Sequence, residues 1–263
     1  MRRSLTAALA IAAAAFAAGC YAPEVRHASF RQEWPAAPID RVEVRGTNGR
    51  IEISAAPGET IRMEARVRSR KRGESERIED FVVVKREGGT LTIREKGARR
   101  GIRLLPFGKD GNEVDFTITL PAQTKVVATT VNGRVEVDGV AAPMELSSVN
   151  GRIQLSTPGA PVSASTVNGS IRAEFLHRFV GAKLASVNGS IGIEVPRDAS
   201  LDLDIHQLNG SFRTDLPVVV TSGGHGGSHG SLHGGKYPLE INTVNGSVRL
   251  RQADVPALDA TRG

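Results

Sequence analysis

The sequence predicts an all-β fold, a repetitive β-solenoid similar to a single-stranded β-helix, and three observations lead to this prediction. The dipeptide Asn-Gly occurs seven times in the 263 residues, and its later spacings are 18, 18, 20, 21 and 36 residues. Apolar and polar residues alternate on both sides of each pair, which is the period of a strand with one buried face. Only 4% of the residues are aromatic, so small aliphatic side chains must fill thin, regular layers.

The composition excludes several classes of protein. A single cysteine allows neither an internal disulfide nor a cysteine-rich zinc or iron–sulfur centre. The 24% of charged and 40% of hydrophobic residues are typical of a globular chain. The formal net charge of +6 is small and does not by itself indicate a nucleic-acid partner.

The amino terminus has the features of a lipoprotein export signal over residues 1–19. Two arginines precede an apolar stretch from Leu5 to Ala18, which is too short to cross a bilayer because a spanning helix needs about 20 residues. The stretch ends in Ala17-Ala18-Gly19-Cys20 and resembles the bacterial lipobox, whose cysteine becomes lipid-modified. We therefore expect lipidation at Cys20.

Residues 20–38 contain three prolines and are predicted to be a lipidated tether. Tyr21 stands where some bacteria place an aspartate that retains lipoproteins at the inner membrane, so we expect the outer membrane of a bacterial envelope. Residues 39–121 alternate as strands, with charged excursions from Arg68 to Asp80 and from Arg94 to Asn112. Tandem repeats follow over residues 122–252, and residues 253–263 form a tail.

The Asn-Gly pairs are predicted to be structural corners between two strands of each repeat. Two geometries are open. In a type I′ hairpin both residues take positive φ and the repeats form an antiparallel meander, whereas in a solenoid each corner stacks on its equivalent in the next coil. The pairs are Asn48-Gly49, Asn132-Gly133, Asn150-Gly151, Asn168-Gly169, Asn188-Gly189, Asn209-Gly210 and Asn245-Gly246.

Five arginines close to the corners are predicted to line up on one sheet as a basic strip. Arginine suits bidentate contact with phosphate and carboxylate groups, so the strip is a candidate site for an anionic glycan or lipid headgroup. The alternative is a solvated face that only keeps the protein soluble. The five residues are Arg134, Arg152, Arg172, Arg213 and Arg249.

A Gly/His-rich insertion over residues 221–236 accounts for the longest spacing. It contains His225, His229 and His233 at intervals of four, and imidazoles on one segment are weak candidates for Zn²⁺, Cu²⁺ or Ni²⁺ ligands. A Gly/Ser-rich mobile loop is the alternative. We therefore assign no metal and expect no cofactor.

Acid–base catalysis has one candidate pair, because Asp202 and Asp204 lie two residues apart and share a strand face. Alternating charges on the wet side of a strand explain the same pattern. The sequence contains no nucleophile elbow, phosphate-binding loop or HExxH motif, so an enzyme is not expected.

The order of these motifs is similar to that of a known family. An Asn-Gly strand pair near the start, the segment VDFTITLP from Val114 to Pro121 and the tandem VNGR and VNGS units resemble the bacterial putative-adhesin family, also called the toast-rack domain. The resemblance covers residues 40–252 and implies a β-rich cell-envelope protein. It implies no established activity and no catalytic residues.

Together these features predict a lipid-anchored, non-enzymatic envelope protein that presents a β-solenoid surface for adhesion or recognition. Its expected partners are the membrane, through Cys20, and an anionic glycan, a lipid headgroup or an envelope protein, with no nucleic acid. One alternative is a self-assembling envelope scaffold. The other is a carbohydrate-active β-helix enzyme, which would need Asp202 or Asp204.

Overall fold

The computed structural model describes residues 26–69, 80–96, 113–222 and 227–254, and these ranges contain strands and no α-helix. No helix in this part of the chain could therefore cross a bilayer. The strands before the tandem repeats are β1 (Arg26–Pro35), β2 (Arg41–Arg45), β3 (Ile51–Ala55), β4 (Thr60–Ser69), β5 (Val82–Glu87), β6 (Thr90–Glu95) and β7 (Glu113–Leu120).

The tandem region contributes fourteen strands. They are β8 (Lys125–Thr130), β9 (Val135–Asp138), β10 (Met144–Ser148), β11 (Ile153–Ser156), β12 (Val162–Asn168), β13 (Ile171–Glu174), β14 (Ala182–Asn188), β15 (Ile191–Val195), β16 (Leu201–Asn209), β17 (Phe212–Thr214), β18 (Val219–Ser222), β19 (Gly227–Leu232), β20 (Tyr237–Asn245) and β21 (Val248–Gln252).

All the strands belong to two long sheets, which contain antiparallel pairs at three of their four ends and are parallel elsewhere, including the β17 end of the first sheet. The first sheet has the order β1-β4-β7-β3-β9-β11-β13-β15-β21-β17, and the second has the order β18-β19-β16-β20-β14-β12-β10-β8-β2-β6-β5. The antiparallel pairs are β1 with β4, β4 with β7, β5 with β6, β16 with β19 and β18 with β19. The all-β prediction is therefore confirmed.

The two strands of each repeat lie in different sheets, and the Asn-Gly pair carries the chain from one sheet to the other. We name each repeat by its Asn. In the Asn150 repeat, β10 belongs to the second sheet and pairs in parallel with β8, while β11 belongs to the first sheet and pairs in parallel with β9. The corner therefore does not join two strands of one antiparallel hairpin.

The predicted alternation decides which side chains enter the core. Ile153 and Leu155 on β11 are 0% and 1% exposed, and the intervening Gln154 is partly exposed. The same holds one repeat further, where Ile171 and Ala173 are buried and Arg172 points outward. Burying alternate aliphatic residues of every strand gives one continuous apolar layer.

The order of the repeats in space departs from their order in the chain. β20 of the Asn245 repeat pairs in parallel with both β14 and β16, so this repeat lies between the Asn188 and Asn209 repeats. The Gly/His-rich insertion provides the reason. Its strand β19 pairs antiparallel with one side of β16, so β20 can pair with β16 only on the other side.

The structure also corrects two predictions outside the corners. Residues 26–35, which were predicted to belong to the tether, form the edge strand β1, paired with β4 along its whole length. The prolines of the predicted tether favoured that assignment, although Ala28, Phe30 and Trp34 alternate with polar residues, and Phe30 and Trp34 pack against the core. The Gly/Ser-rich insertion is not a loop throughout, because Gly227–Leu232 forms β19.

Some predictions fall on residues that the structure does not describe. They are the signal peptide 1–19, Cys20, most of both charged excursions, His225 and the end of the tail after Asp254.

The Asn209 repeat and the hairpin of β18 and β19 together form what we call the β17 end of the domain.

Candidate functional site

The seven corners are held together by a ladder of asparagine side chains. The Nδ2 group of each Asn donates to the Oδ1 atom of the neighbouring Asn, over distances of 2.8 to 3.0 Å. The ladder runs in the order Asn48, Asn132, Asn150, Asn168, Asn188, Asn245 and Asn209. The predicted corner residues are therefore brought together by side-chain bonds as well as by strand pairing.

The glycine of each corner is required by close packing. A Cβ atom on Gly151 would lie 1.7 Å from the carbonyl oxygen of Gly133, and a Cβ on Gly133 would lie 1.8 Å from that of Gly49. Positive φ is not the general reason, since among the seven corners only Gly49 and Gly210 have it, at 124° and 152°. A type I′ turn would need positive φ at both residues of each pair.

A second row of polar groups supports the corners, and the sequence analysis did not identify it. The hydroxyl groups of Ser148, Thr166 and Ser186 donate to the carbonyl oxygens of Gly133, Gly151 and Gly169, over 3.1 to 3.3 Å. A signal for this row is present in the sequence, because a Ser or Thr stands two residues before the Asn in five of the seven repeats.

The first corner of the ladder has a carboxylate where later corners have a backbone carbonyl. The N–H groups of Asn132 and Asn150 donate to the carbonyl oxygens of Thr47 and Val131 of the preceding repeats, each over 2.7 Å. At Asn48 no earlier repeat exists, and Oε2 of Glu95 accepts from the N–H groups of Thr47 and Asn48, over 2.6 and 3.3 Å.

Glu95 is buried at this position, with 7% exposure. Desolvation disfavours its charged form and raises the pKa of the carboxyl group above its ordinary value of 4.5, although the two backbone N–H groups act in the opposite direction. Glu95 therefore satisfies the backbone N–H groups at the Asn48 end of the ladder, next to β6. The desolvation of its carboxyl group opposes this stabilisation.

The structure divides the predicted basic strip into two rows. One row contains Arg172, Gly192, Arg249 and Arg213, which lie next to one another in this order on the neighbouring strands β13, β15, β21 and β17. Arg134 and Arg152 lie closer to the corners, two residues after their Asn rather than four. The five side chains therefore do not form one continuous column, because the arginine takes a different position within the early and the late repeats.

Arg134 and Arg172 are held by carboxylates of this chain. Arg134 lies 2.9 Å from Glu136, and Arg172 lies 2.8 Å from Glu174 and 3.0 Å from Glu194. The hydrogen bond that Arg172 donates to Glu194 and the negative charges of both glutamates raise the pKa of Arg172. These charges are neutralised locally, so an external anion would have to displace a carboxylate.

The β17 end has a different balance of charge. Arg213 and Arg249 lie side by side on neighbouring strands and are exposed, as is Arg251, two residues further along β21. Among the described residues no carboxylate forms an ion pair with these three side chains, which we call the distal arginines. The sequence analysis missed Arg251, although its spacing of two from Arg249 places both on the same face.

A groove of about 500 Å³ lies on the outer face of the second sheet, towards the β17 end. Three exposed aliphatic side chains line it, namely Val187, Val244 and Leu208, which are 39%, 38% and 75% exposed. The register of their strands makes them neighbours in the order given. Contiguous exposed apolar side chains are a feature of interaction surfaces.

The candidate metal ligands do not converge. His229 Nδ1 lies 3.2 Å from Asp204 Oδ1, whereas His233 Nδ1 lies 3.1 Å from the carbonyl oxygen of Ala199. Within the described ranges no group of three His, Cys, Asp or Glu side chains is arranged to hold a metal ion. The third predicted ligand, His225, lies outside these ranges.

Asp204 is surrounded by groups that the sequence did not associate with it. His206 Nε2 lies 3.3 Å from the same Oδ1 atom that His229 approaches. Asp202, its predicted partner in catalysis, aligns instead with Ser231 of β19. The aspartates are exposed or half-buried on the outer face of β16, so the pair faces solvent rather than a cavity.

Comparison with known proteins gives similarity to solved structures alone, since no family model and no curated protein matches the sequence. One solved structure is a putative cell adhesion protein from Clostridium sporogenes, with 9% identity and a TM-score of 0.49 over 87% of this chain and 100% of that chain. A putative adhesin from Bacteroides fragilis has 11% identity and a TM-score of 0.41 over 86% and 97%.

A third solved structure, a putative lipid binding protein from Parabacteroides distasonis, has 12% identity and a TM-score of 0.33 over 86% of this chain and 97% of that chain. The first two descriptions name the same class of protein as the resemblance of the V-N-G repeats, the putative adhesins.

Proposed function

We propose that the protein is a lipid-anchored, non-enzymatic recognition module of the bacterial cell envelope, whose body is a two-sheeted β-solenoid. The distal arginines would bind anionic groups of an envelope glycan or of lipid headgroups. The observation that carries this proposal is the exposure of three arginines without a carboxylate partner among the described residues, at the end of the domain farthest from the expected anchor.

The position of the expected anchor follows from the sheet order. Lipidation at Cys20 would place the membrane within about 20 Å of Arg26, since six residues of extended chain span at most that distance. β1 is the first strand of the ten-stranded sheet and β17 is the last. Nine spacings of about 4.8 Å separate them by about 43 Å, so the distal arginines would face away from the anchoring membrane.

The charge at the β17 end supports an anionic partner. Arg213 and Arg249 are neighbours on adjacent strands, so their guanidinium groups can contact one phosphate or one carboxylated sugar together. Gly192 lies next to Arg249 in the same row, and the space above it is open. This gap leaves room for a ligand beside the arginines on an otherwise flat face.

Cosedimentation with purified peptidoglycan sacculi and with outer-membrane vesicles, at low and high salt, tests the proposal. The probe is the chain without the predicted export signal, residues 20–263, with Cys20→Ser, so that neither the apolar signal nor lipid causes pelleting. We expect pelleting that weakens with salt, because salt screens exposed charges. Replacing all three distal arginines by serine should reduce binding about tenfold or more, since each basic residue near an anionic surface contributes on the order of 1 kcal/mol.

A matched control removes the same charge from the opposite end. Arg31, Arg62 and Arg66 lie on β1 and β4, and each contacts Glu33 or Glu64. Their triple serine variant should bind sacculi or vesicles like the parent chain. Equal losses in both variants would mean that net charge, and not the β17 end, causes the pelleting, and no pelleting at either salt would reject the proposal.

A further inference from the structure

Both sheets end here in a strand that has no partner on its outer side among the described residues, β18 in the second sheet and β17 in the first. In the second sheet, the outer side of β16 is covered by β19, which pairs antiparallel with it and is followed by β18. In the first sheet, β17 pairs with β21 on one side, and on its other side no strand of the described chain pairs with it. β17 is therefore an open sheet edge.

The hydrogen bonds between β17 and β21 define which backbone groups of β17 are available. The N–H group of Val248 donates to the carbonyl oxygen of Ser211 over 2.9 Å. Because alternate residues of a strand point towards a given partner, Ser211 and Arg213 face β21, and Phe212 and Thr214 direct their N–H and C=O groups to the open side. An added strand would find two donors and two acceptors there.

The side chains next to this edge describe the strand that would fit. Phe212 and Thr214 are half-buried and belong to the inner face, where Phe212 packs against the core. Arg213 is on the outer face beside Arg249. In a strand placed along β17, every second residue would lie beside Phe212 on the inner face, and the residues between them would lie beside Arg213 on the outer face. Such a strand should therefore alternate apolar and acidic side chains.

We propose that β17 is a docking edge for an extended acidic segment of a partner polypeptide, which adds to the first sheet as a further strand. Its apolar residues would cover Phe212, and its carboxylates would pair with Arg213 on the outer face. A second copy of this chain fits less well. Pairing two β17 edges would bring two Arg213 side chains onto one face of neighbouring strands, where like charges are destabilising.

This inference shares Arg213 with the proposed function, but it rests on a separate observation, the unpaired backbone of β17. Glycans and lipid headgroups would use the arginines and leave the backbone edge free. A polypeptide strand would use both. Substitutions that affect only the backbone edge therefore separate the two proposals.

The test is binding of a short fluorescent peptide in which Glu and Val alternate, measured by anisotropy with the same Cys20→Ser chain, residues 20–263. The control peptide has the same composition with Glu and Val in two blocks. We expect binding of the alternating peptide only. Thr214→Pro, which removes an edge N–H group, should weaken binding about five- to tenfold compared with Thr214→Ala, which removes the same hydroxyl but keeps the amide.

A second measurement keeps the test valid if the proline variant does not fold. An alternating peptide that is N-methylated on one edge has the same charge and shape but cannot donate backbone bonds from that edge, and two such peptides cover both edges. We expect one of the two to bind the unaltered protein like the parent peptide and the other to lose binding. Equal binding of all three peptides, or equal binding by Thr214→Pro and Thr214→Ala, would overturn the inference.

Two other occupants of the edge would also overturn it. If a chain that ends at Asp254 bound the peptide tenfold more tightly, residues 255–263 would occupy the edge themselves. If light scattering detected a dimer that Thr214→Pro abolished, a second copy would occupy it. The two proposals can fail separately. If the distal-arginine variant lost sacculus binding but the parent chain bound no peptide, the proposed function would stand and this inference would fall. If the parent chain bound the peptide but not sacculi or vesicles, only the strand-docking edge would stand.

Discussion

At one end of the first sheet, β1 contributes ten residues that pair along their whole length with β4, whereas at the other end β17 contributes only three. The first asparagine of the ladder is likewise closed by the buried Glu95, which accepts from the N–H group of Asn48. At the last repeat, the neighbouring Leu208 is 75% exposed. Within the described chain, both ends of the first sheet therefore expose one unpaired strand edge, but ten paired residues hold the edge at β1 and only three hold the edge at β17.

In the first sheet the ion pairs differ between the two ends. Arg31, Arg62 and Arg66 at the β1 end each contact a glutamate within 3.2 Å, as Arg68 contacts Glu113 and Asp115. The distal arginines form no ion pair within the described ranges. In the second sheet, the exposed Lys85 and Arg86 on the edge strand β5 form none there either, so the contrast applies to the first sheet.

The strongest test of this comparison is a substitution at a central corner. Gly151→Ala would place a Cβ atom 1.7 Å from the carbonyl oxygen of Gly133, with backbone of another repeat on the other side. Because neither backbone can move without disturbing the next repeat, we expect a loss of about 4 kcal/mol or more in the free energy of unfolding. Urea denaturation followed by circular dichroism measures it.

Two other glycines sharpen that result. Gly210→Ala has a similar clash, 1.9 Å from the carbonyl oxygen of Gly246, and the φ of 152° at Gly210 is one that alanine rarely adopts. Its loss should therefore be large as well, although β17 has a neighbouring strand on only one side within the described chain. Gly192→Ala meets no atom within 4 Å and should leave stability nearly unchanged. Equal losses for all three variants would contradict the close-packing explanation.

The asparagine ladder gives the next largest effect. Asn150 donates to Asn132 and accepts from Asn168, whereas the only ladder bond of Asn209 is its donation to Asn245. Asn150→Ala should cost about 1–3 kcal/mol and Asn209→Ala about half of that, because each hydrogen bond contributes roughly 0.5–1.5 kcal/mol. Thermal and urea unfolding of the two variants check this ratio, and a larger loss for Asn209→Ala would contradict it.

The smallest effect concerns Glu95 and depends on pH. Burial raises the pKa of Glu95, so the folded state holds this proton more tightly than the unfolded state. Its contribution to stability is therefore complete below the ordinary carboxyl pKa and is lost as the pH rises through the folded-state pKa. The slope is at most about 1.4 kcal/mol per pH unit, the value for one proton.

Glu95→Gln isolates this contribution. The amide oxygen can still accept from Thr47 and Asn48, but it does not ionise. Unfolding free energies measured at several pH values should show the parent chain losing stability relative to the variant as the pH rises above 4.5. Glu64 and Glu240, whose pKa values are lowered by Arg66 and Lys183, act in the opposite direction in both proteins and cancel. If the stability of the parent chain relative to the variant stayed constant or increased with pH, the explanation based on Glu95 would be contradicted.

Period-two alternation was sufficient to predict the strands that flank the corners of the tandem region and their buried faces. Ile153, Leu155, Ile171 and Ala173 are buried as the pattern requires, because the side-chain period of a strand allows only one register with a wet and a dry face. The prediction was wrong for β1. Ala28, Phe30 and Trp34 alternate there with polar residues, but Gln32 interrupts the pattern and the prolines of residues 20–38 favoured a tether.

The candidate site was predictable only in part. Arg213 and Arg249 were identified from their distance to the corners, and the structure places them side by side. Their contiguity depends on the Asn245 repeat entering between its two predecessors, and the 36-residue spacing does not reveal that order. The neutralisation of Arg134 and Arg172 was visible in part, since Glu136 and Glu174 lie two residues after them, but the second partner of Arg172, Glu194, comes from another repeat.

By itself, the sequence determined the all-β class, the repeat, the seven corners and the alternation of buried residues, since these depend on local periodicity and on residues a few positions apart. Only the tertiary structure decided the order of the last repeats, the cap at Glu95, the pairing of the charges and the open edge of β17. These features depend on which strand end meets which neighbour, and strand neighbours are chosen by packing across the whole chain.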